Sequence, residues 1–314
     1  MIIYIIRRIW GVVPVFIMIG IIAFLIIHIA PGSPAASLLG EEATKEQIEQ
    51  IEQELGLDQP LHIQYFIWIS NIFRGDWGES IFLKQPVFTV IMNKASISLT
   101  LALFSLIIAI SIGIPAGILA AAYQNSIFDN IGMTFAVMGI SIPSFWLGLN
   151  LMWFIGVKLM WLPVQGYVPI SVNFLEFIKH LIIPGVCVGF PQAAFIARMT
   201  RSSMLDVIKQ DYIRTAKAKG LKMRIIIIKH AFTNAVLPVI TIIGMIFAIL
   251  MGGMIIIETI FNIPGMGSLF ATAVQKRDYP IVQAEVLFMG LIFVTANLII
   301  DILYGYLDPR IKYN

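Results

Sequence analysis

Six long apolar runs separated by polar segments set the pattern of the chain. They cover about residues 9–30, 98–123, 131–161, 177–197, 235–257 and 281–304. A helix needs about 20 mostly apolar residues to cross a hydrocarbon core about 30 Å thick, since each residue adds about 1.5 Å. Every run meets that length, so the pattern predicts six membrane-spanning helices. The third run is too long for one straight span and contains Pro143, which predicts a kink or an interfacial end. Pro115 and Pro184 are expected to interrupt two other spans. The first run follows Arg7 and Arg8, exceeds the apolar stretch of a secretory signal and meets Pro31 at once. It reads as an uncleaved signal anchor.

The polar segments carry patterns of their own. In segment 31–95, Thr44 and Gln47 have capping-box spacing, Ile48, Ile51 and Leu55 recur at helical spacing, and Gly56 suits a helix stop. Residues 61–73 are amphipathic and aromatic (Tyr65, Phe66, Trp68, Phe73), a composition suited to a membrane interface. The expected division is an N-terminal span (1–30), an outer helical cap (31–95) and a core (96–314) containing a polar loop at 198–234. In that loop, Leu205, Ile208, Tyr212 and Thr215 or Ala216 share one helical face, and Gly220 is a natural left-handed stop. A second short helix is expected to turn Ile225 and Ile228 inward and Lys222, Arg224 and Lys229 outward. Further on, Pro264, Gly265 and Gly267 break the helix as a short re-entrant turn, and 275–280 reads as a solvated outer loop.

Composition agrees with a membrane protein. The 314 residues are 59% hydrophobic and 12% charged, against about 25% charged in soluble domains. The net charge of +3 does not point to nucleic acid, and Cys187 is the only cysteine, so no intrachain disulfide forms. The distribution of charge says more. Loop 198–234 holds Arg198, Arg201, Lys209, Arg214, Lys217, Lys219, Lys222, Arg224 and Lys229 against Asp206 and Asp211. With Arg7, Arg8, Arg310 and Lys312, one side of the membrane carries thirteen of the 21 Lys+Arg. Segment 31–95, on the other side, carries nine acids against four bases. Basic loops face the cytoplasm, so both termini are expected there. From pattern alone, the basic loop reads equally as a docking surface or as an interfacial helix pair held to anionic lipid.

Catalytic signatures are missing: the sequence contains no P-loop run, no H-E-x-x-H and no G-x-S-x-G. His28, His62, His180 and His230 are scattered. Polar residues inside the apolar runs are few and costly. Asn150, Gln192, Asn234 and Glu258, with the Pro264, Gly265 and Gly267 turn, are the candidate pathway or gate residues. Asn297 and Asp301 share a face of the last span and read as interhelical hydrogen-bonding groups.

The run Asp211-Tyr212-Ile213-Arg214-Thr215-Ala216-Lys217-Ala218-Lys219-Gly220 resembles the coupling loop of binding-protein-dependent ABC importer permeases, in their dipeptide, oligopeptide and nickel branch. Ala216 and Gly220 match the general E-A-A-x-x-x-G pattern. Arg214 stands where the acid is usual, Thr215 replaces the first alanine, and Thr233 stands where a proline is usual. The likeness extends over nearly the whole chain, through residues 29–34, 55–60, 198–204, 230–238, 258–261, 264–267, 277–280 and 308–310. It is strongest toward dipeptide and glutathione permeases.

The resemblance implies an all-α, polytopic type I ABC importer permease fold with six transmembrane helices in the cytoplasmic (inner) membrane. It implies no catalytic residue, no bound cofactor and no metal site. It implies as partners a second homologous permease subunit, two ABC ATPase subunits, an extracytoplasmic substrate-binding protein, the lipid bilayer and a peptide substrate. Residues 211–220 would couple to the ATPase. A nickel-chelate importer of the same family is the alternative substrate reading. A secondary transporter or a lipid-binding scaffold are the alternatives from other classes.

Overall fold

The computed structural model describes residues 2–29, 44–54 and 58–307. Within them the chain is built of helices. They are α1 (Ile2–Ile29), α2 (Lys45–Glu54), α3 (Leu61–Phe73), α4 (Val87–Ala122), α5 (Ile127–Ser141) and α6 (Ser144–Lys158). Then come α7 (Phe174–Ile208), α8 (Asp211–Ala218), α9 (Met223–Gly253), α10 (Ile255–Ile260), α11 (Met266–Lys276) and α12 (Tyr279–Leu307). By length and apolarity, stretches within α1, α4, α7, α9 and α12 can each cross a membrane.

The sixth span is the pair α5–α6, which bends by 97° at Ile142–Pro143. Pro143 removes a backbone donor and forces its predecessor out of the helical region, and Ile142 is extended with ψ 121°. Pro115 and Pro184 behave differently from expectation. Both lie inside continuous helices of 36 and 35 residues. Membrane helices tolerate proline where neighbouring groups re-satisfy the freed carbonyl.

The central pair is α4 and α7. A Cβ at Gly113 would sit 2.6 Å from the Ala193 carbonyl, and one at Gly117 2.6 Å from the Ala197 carbonyl. From the other side, Gly189 would meet the Ser105 carbonyl at 2.6 Å and Gly185 the Phe104 ring at 2.5 Å. Each G-x-x-x-G step thus lets the partner helix approach closely, Gly113 and Gly117 at the level of residues 193–200 and Gly185 and Gly189 at the level of residues 104–108. Residue numbers rise together along this seam, so α4 and α7 run parallel. The chain must recross between them, and α5–α6 makes that crossing.

The remaining spans fix the ends. Val87, Val90 and Ile91 of α4 pack on Met266, Leu269, Ile281 and Val282, so α4 and α12 begin at one end of the bundle. Helix α1 runs antiparallel to α12. Gln283 Nε2 donates to the Phe24 carbonyl at 3.4 Å near that end, and Arg8 pairs with Asp301 at 3.1 Å near the other. The chain start, the end of α12 and α8 therefore share one end of the molecule.

At the opposite end α3 begins, with Gln64 Oε1 3.2 Å from His28 Nε2 of α1, and α2 precedes it in the chain. The capping box is present: Gln47 N donates to Thr44 Oγ1 (3.3 Å) and Thr44 N to Gln47 Oε1 (3.0 Å). In α3, Tyr65 and Trp68 pack on Phe24 of α1, with centroids 5.5 and 5.9 Å apart. Gly56, Arg310 and Lys312 lie outside the described residues.

Candidate functional site

Helix α8 projects as an elbow between α7 and α9. Gln210 is extended (ψ 150°), so the chain breaks after Ile208 and restarts at Asp211. That break overturns the single face expected through Leu205, Ile208, Tyr212 and Thr215. The residues of α8 that are buried are Ile213 and Ala216, three apart. Tyr212 is turned outward, 45% exposed, with its hydroxyl 3.4 Å from the His230 carbonyl.

The helix ends by a defined motif. Gly220 has φ +74°, Gly220 N donates to the Lys217 carbonyl at 3.0 Å and Leu221 N to the Ala216 carbonyl at 3.4 Å. These are the two bonds of a Schellman stop, and the left-handed residue they need is the expected glycine.

The buried face of α8 joins three spans. Ile213 and Ala216 pack with Ala121 of α4, Met204 of α7, and Ile226, Ala231 and Ala235 of α9. The outer face is polar. Asp211, Arg214, Thr215, Lys217, Ala218, Lys219 and Gly220 are all exposed. Arg214 reaches Asp211 at 3.3 Å, an exposed pair that contributes little stability. The elbow offers a small, basic surface with a rigid rear.

The second half of the elbow differs from expectation. Ile225 and Ile228 are exposed, and Ile226 and Ala231 are buried instead. Residues Ile226–Phe232 form a wide turn with one extra residue per loop of helix. Five residues rather than four then return to the same face, which sets the 226 and 231 spacing. Lys222, Arg224 and Lys229 are exposed, as expected.

The pathway candidates are not gathered in one place. Asn150 Nδ2 donates to the Trp146 carbonyl and Asn234 Nδ2 to the His230 carbonyl, both at 2.7 Å and within their own helices. Gln192 is half-buried on α7. Glu258 is 1% exposed at the other end of the bundle. Its Oε1 accepts from Ser98 Oγ (2.6 Å), its Oε2 from Ser268 N (3.0 Å), and Ser98 Oγ accepts from Met266 N (2.8 Å). Gly265 lies against the Glu258 carboxyl, and Gly267 against the Ile255 backbone. Pro264 lines a shallow cavity beside Lys94 and Asn262. This is a folded-back turn tied by a buried carboxylate.

Loop 275–280 is also more structured than a solvated connector. Asp278 is 2% exposed and accepts from Ser80 Oγ (2.5 Å), Ile81 N (3.2 Å) and Phe82 N (3.3 Å). Asn297 donates to its own helix at Phe293 (2.9 Å), whereas Asp301 bonds across to α1 through Arg8.

Two buried acids escaped the sequence reading. Asp129 holds Arg201 of α7 through two bonds of 2.6 and 2.7 Å. Its signal was Ser126-x-x-Asp129, a capping pattern, and Asp129 N does donate to Ser126 Oγ (3.3 Å). Glu285 is fully buried in α12 beside Glu258, and neither of its oxygens has a hydrogen-bond partner among the described residues. An acid inside an apolar run was the available signal.

Residues 113–313 match the family described as "Binding-protein-dependent transport system inner membrane component", and residues 1–103 match the N-terminal region of such components. The chain belongs to this family. A probable peptide ABC transporter permease protein of Sinorhizobium fredii is 40% identical over 99% of both chains. A dipeptide transport system permease protein of Alkalihalophilus pseudofirmus is 43% identical over the full length of both. A glutathione transport system permease protein of Salmonella choleraesuis is 41% identical over 99% of both. A chain of the methionine ABC transporter MetNI, in an inward-facing conformation, superposes with TM-score 0.57 at 15% identity, covering 70% of this chain and 97% of that one. The binding-protein-dependent component thus shares its core fold with that ABC transporter.

Proposed function

We propose that the chain is one half of the translocation pore of an ATP-driven importer for dipeptides, oligopeptides or glutathione, and that α8 is the element that couples it to an ATPase. The names of the relatives support the substrate class. The observation that carries the coupling role is the two-sided build of α8: Ile213 and Ala216 anchored to α4, α7 and α9, with Arg214, Lys217 and Lys219 exposed outside. A second homologous permease subunit completes the pore, two ATPase subunits dock at the α8 end in the cytoplasm, and an extracytoplasmic binding protein delivers substrate to the other end.

The chemistry follows from the rear contacts. When the ATPase subunits close on ATP, they displace α8. Because α8 seats on three spans at once, the displacement reaches α4, α7 and α9 together. The basic face speeds and orients docking on an acidic groove. Asn150, Gln192 and Asn234 remain candidates for the pathway, and Glu258 with Pro264, Gly265 and Gly267 for the outer gate.

Two experiments test this. With Lys217→Cys, a membrane-impermeant maleimide should label inverted vesicles and leave intact cells unlabelled; labelling from outside overturns the orientation. A reconstituted complex carrying Gly220→Pro should hydrolyse ATP without importing dipeptide, since proline cannot adopt φ +74°. Normal import by that complex would remove the coupling role.

A further inference from the structure

A groove runs between α4 and α9 beside the elbow. It is lined by Ile118, Leu119, Ala122 and Tyr123 from α4 and by Met223, Arg224, Ile227 and Ile228 from α9, with a volume of about 370 Å³. Both sets follow i, i+1, i+4, i+5, so two helical stripes face each other across the groove. Its rim is open: Leu119 and Tyr123 are 57% and 59% exposed, and Met223 and Ile228 46% and 50%.

One side chain in this apolar lining is charged. Arg224 stands at the end of the groove toward the elbow, with Lys222 and Lys229 exposed on the same segment. None of the three forms an ion pair among the described residues, and no acid lines the groove. The floor is continuous with the seat of α8, because Ile118 and Ile227 pack on the cluster that holds Ile213 and Ala216.

We infer that this groove binds one acyl chain of an anionic phospholipid of the cytoplasmic leaflet, with the headgroup phosphate against Arg224 and flanked by Lys222 and Lys229. An apolar cleft with an unpaired cation in its lining, and two more cations beside it, matches the acyl chain and the net negative headgroup of that amphiphile. Basic pockets between membrane helices on the cytoplasmic side take such headgroups. The lipid fills the outer wall of the cluster beneath α8 and so steadies the elbow. The inference rests on the cytoplasmic placement of α8 proposed above.

The test uses the full chain in nanodiscs with photoactivatable phosphatidylglycerol or phosphatidylcholine, each carrying its probe on the acyl chain. Phosphatidylglycerol should cross-link to Leu119, Tyr123, Ile227 or Ile228 about fivefold more than phosphatidylcholine. Arg224→Gln should remove that preference, and Leu119→Trp, which fills the groove, should remove the cross-link. Retained Lys217→Cys accessibility in each background reports an intact elbow. Equal cross-linking by both lipids, or an unchanged preference in Arg224→Gln, overturns the headgroup site. Loss of the wild-type cross-link when the ATPase subunits are added also overturns it, since the motor would then cover the groove. Lys217→Cys labelled from outside, by contrast, overturns the placement of α8 itself.

Discussion

The two ends of the bundle handle charge in opposite ways. At the end that holds α10 and α11, Glu258 and Asp278 are buried, and each accepts from two or more donors on other segments. At the α8 end, the charges of α8 are exposed, and its one ion pair among the described residues joins two residues of the same helix. A buried carboxylate with fixed donors holds loops in one geometry, whereas an exposed cation leaves the surface free for a partner. The difference teaches that one end is closed by the chain's own contacts, whereas the other keeps its charges available, as the proposed coupling role of α8 requires. Asp129 and Arg201 refine it: the α8 end has a buried acid of its own, held by the half-buried Arg201 between α5 and α7.

Substitutions should separate the two ends. The largest effect is expected from Gly265→Val, whose side chain would overlap Glu258 and Ser98. It should abolish recovery of folded protein in detergent; normal yield would mean the turn can open. Next comes Asp278→Ala, which strips the acceptor from Ser80 Oγ and from the amides of Ile81 and Phe82. It should cost about 3 kcal/mol in thermal unfolding. At the α8 end, Ile213→Val should cost only about 1 kcal/mol, yet raise proteolytic cleavage near Gly220. The smallest stability change, within about 0.5 kcal/mol, is expected for Arg214, Lys217 and Lys219 all changed to Gln. That variant should still slow ATPase association about tenfold at low salt. If it were as unstable as Asp278→Ala, the distinction between the ends would fail.

Much of this was legible in the chain. Six apolar runs located the spans, Pro143 the sharp bend, Thr44 and Gln47 a cap, and Gly220 the stop of α8. What stayed hidden depended on register or on distant partners. The inward residues of the elbow were misassigned because the chain breaks at Gln210 ahead of α8 and widens at Ile226–Phe232, and no single side chain announces either change of phase. Loop 275–280 looked solvated because the donors that bury Asp278 lie almost 200 positions earlier. Pro115 and Pro184 looked like breaks because sequence does not report whether a neighbour relieves the lost bond. The two G-x-x-x-G steps were readable, but only the parallel arrangement reveals which stretch of the partner helix each one seats.

That close fit has a mechanical consequence. Four glycines along one seam leave the partner helix's carbonyls, Cβ atoms and the Phe104 ring seated directly on their backbone, with no room for a larger side chain. Helices α4 and α7 are therefore keyed together like the two halves of a keel. Opening of a passage is expected along the flanks of this unit, where bulky side chains can repack, with the keel travelling as one piece.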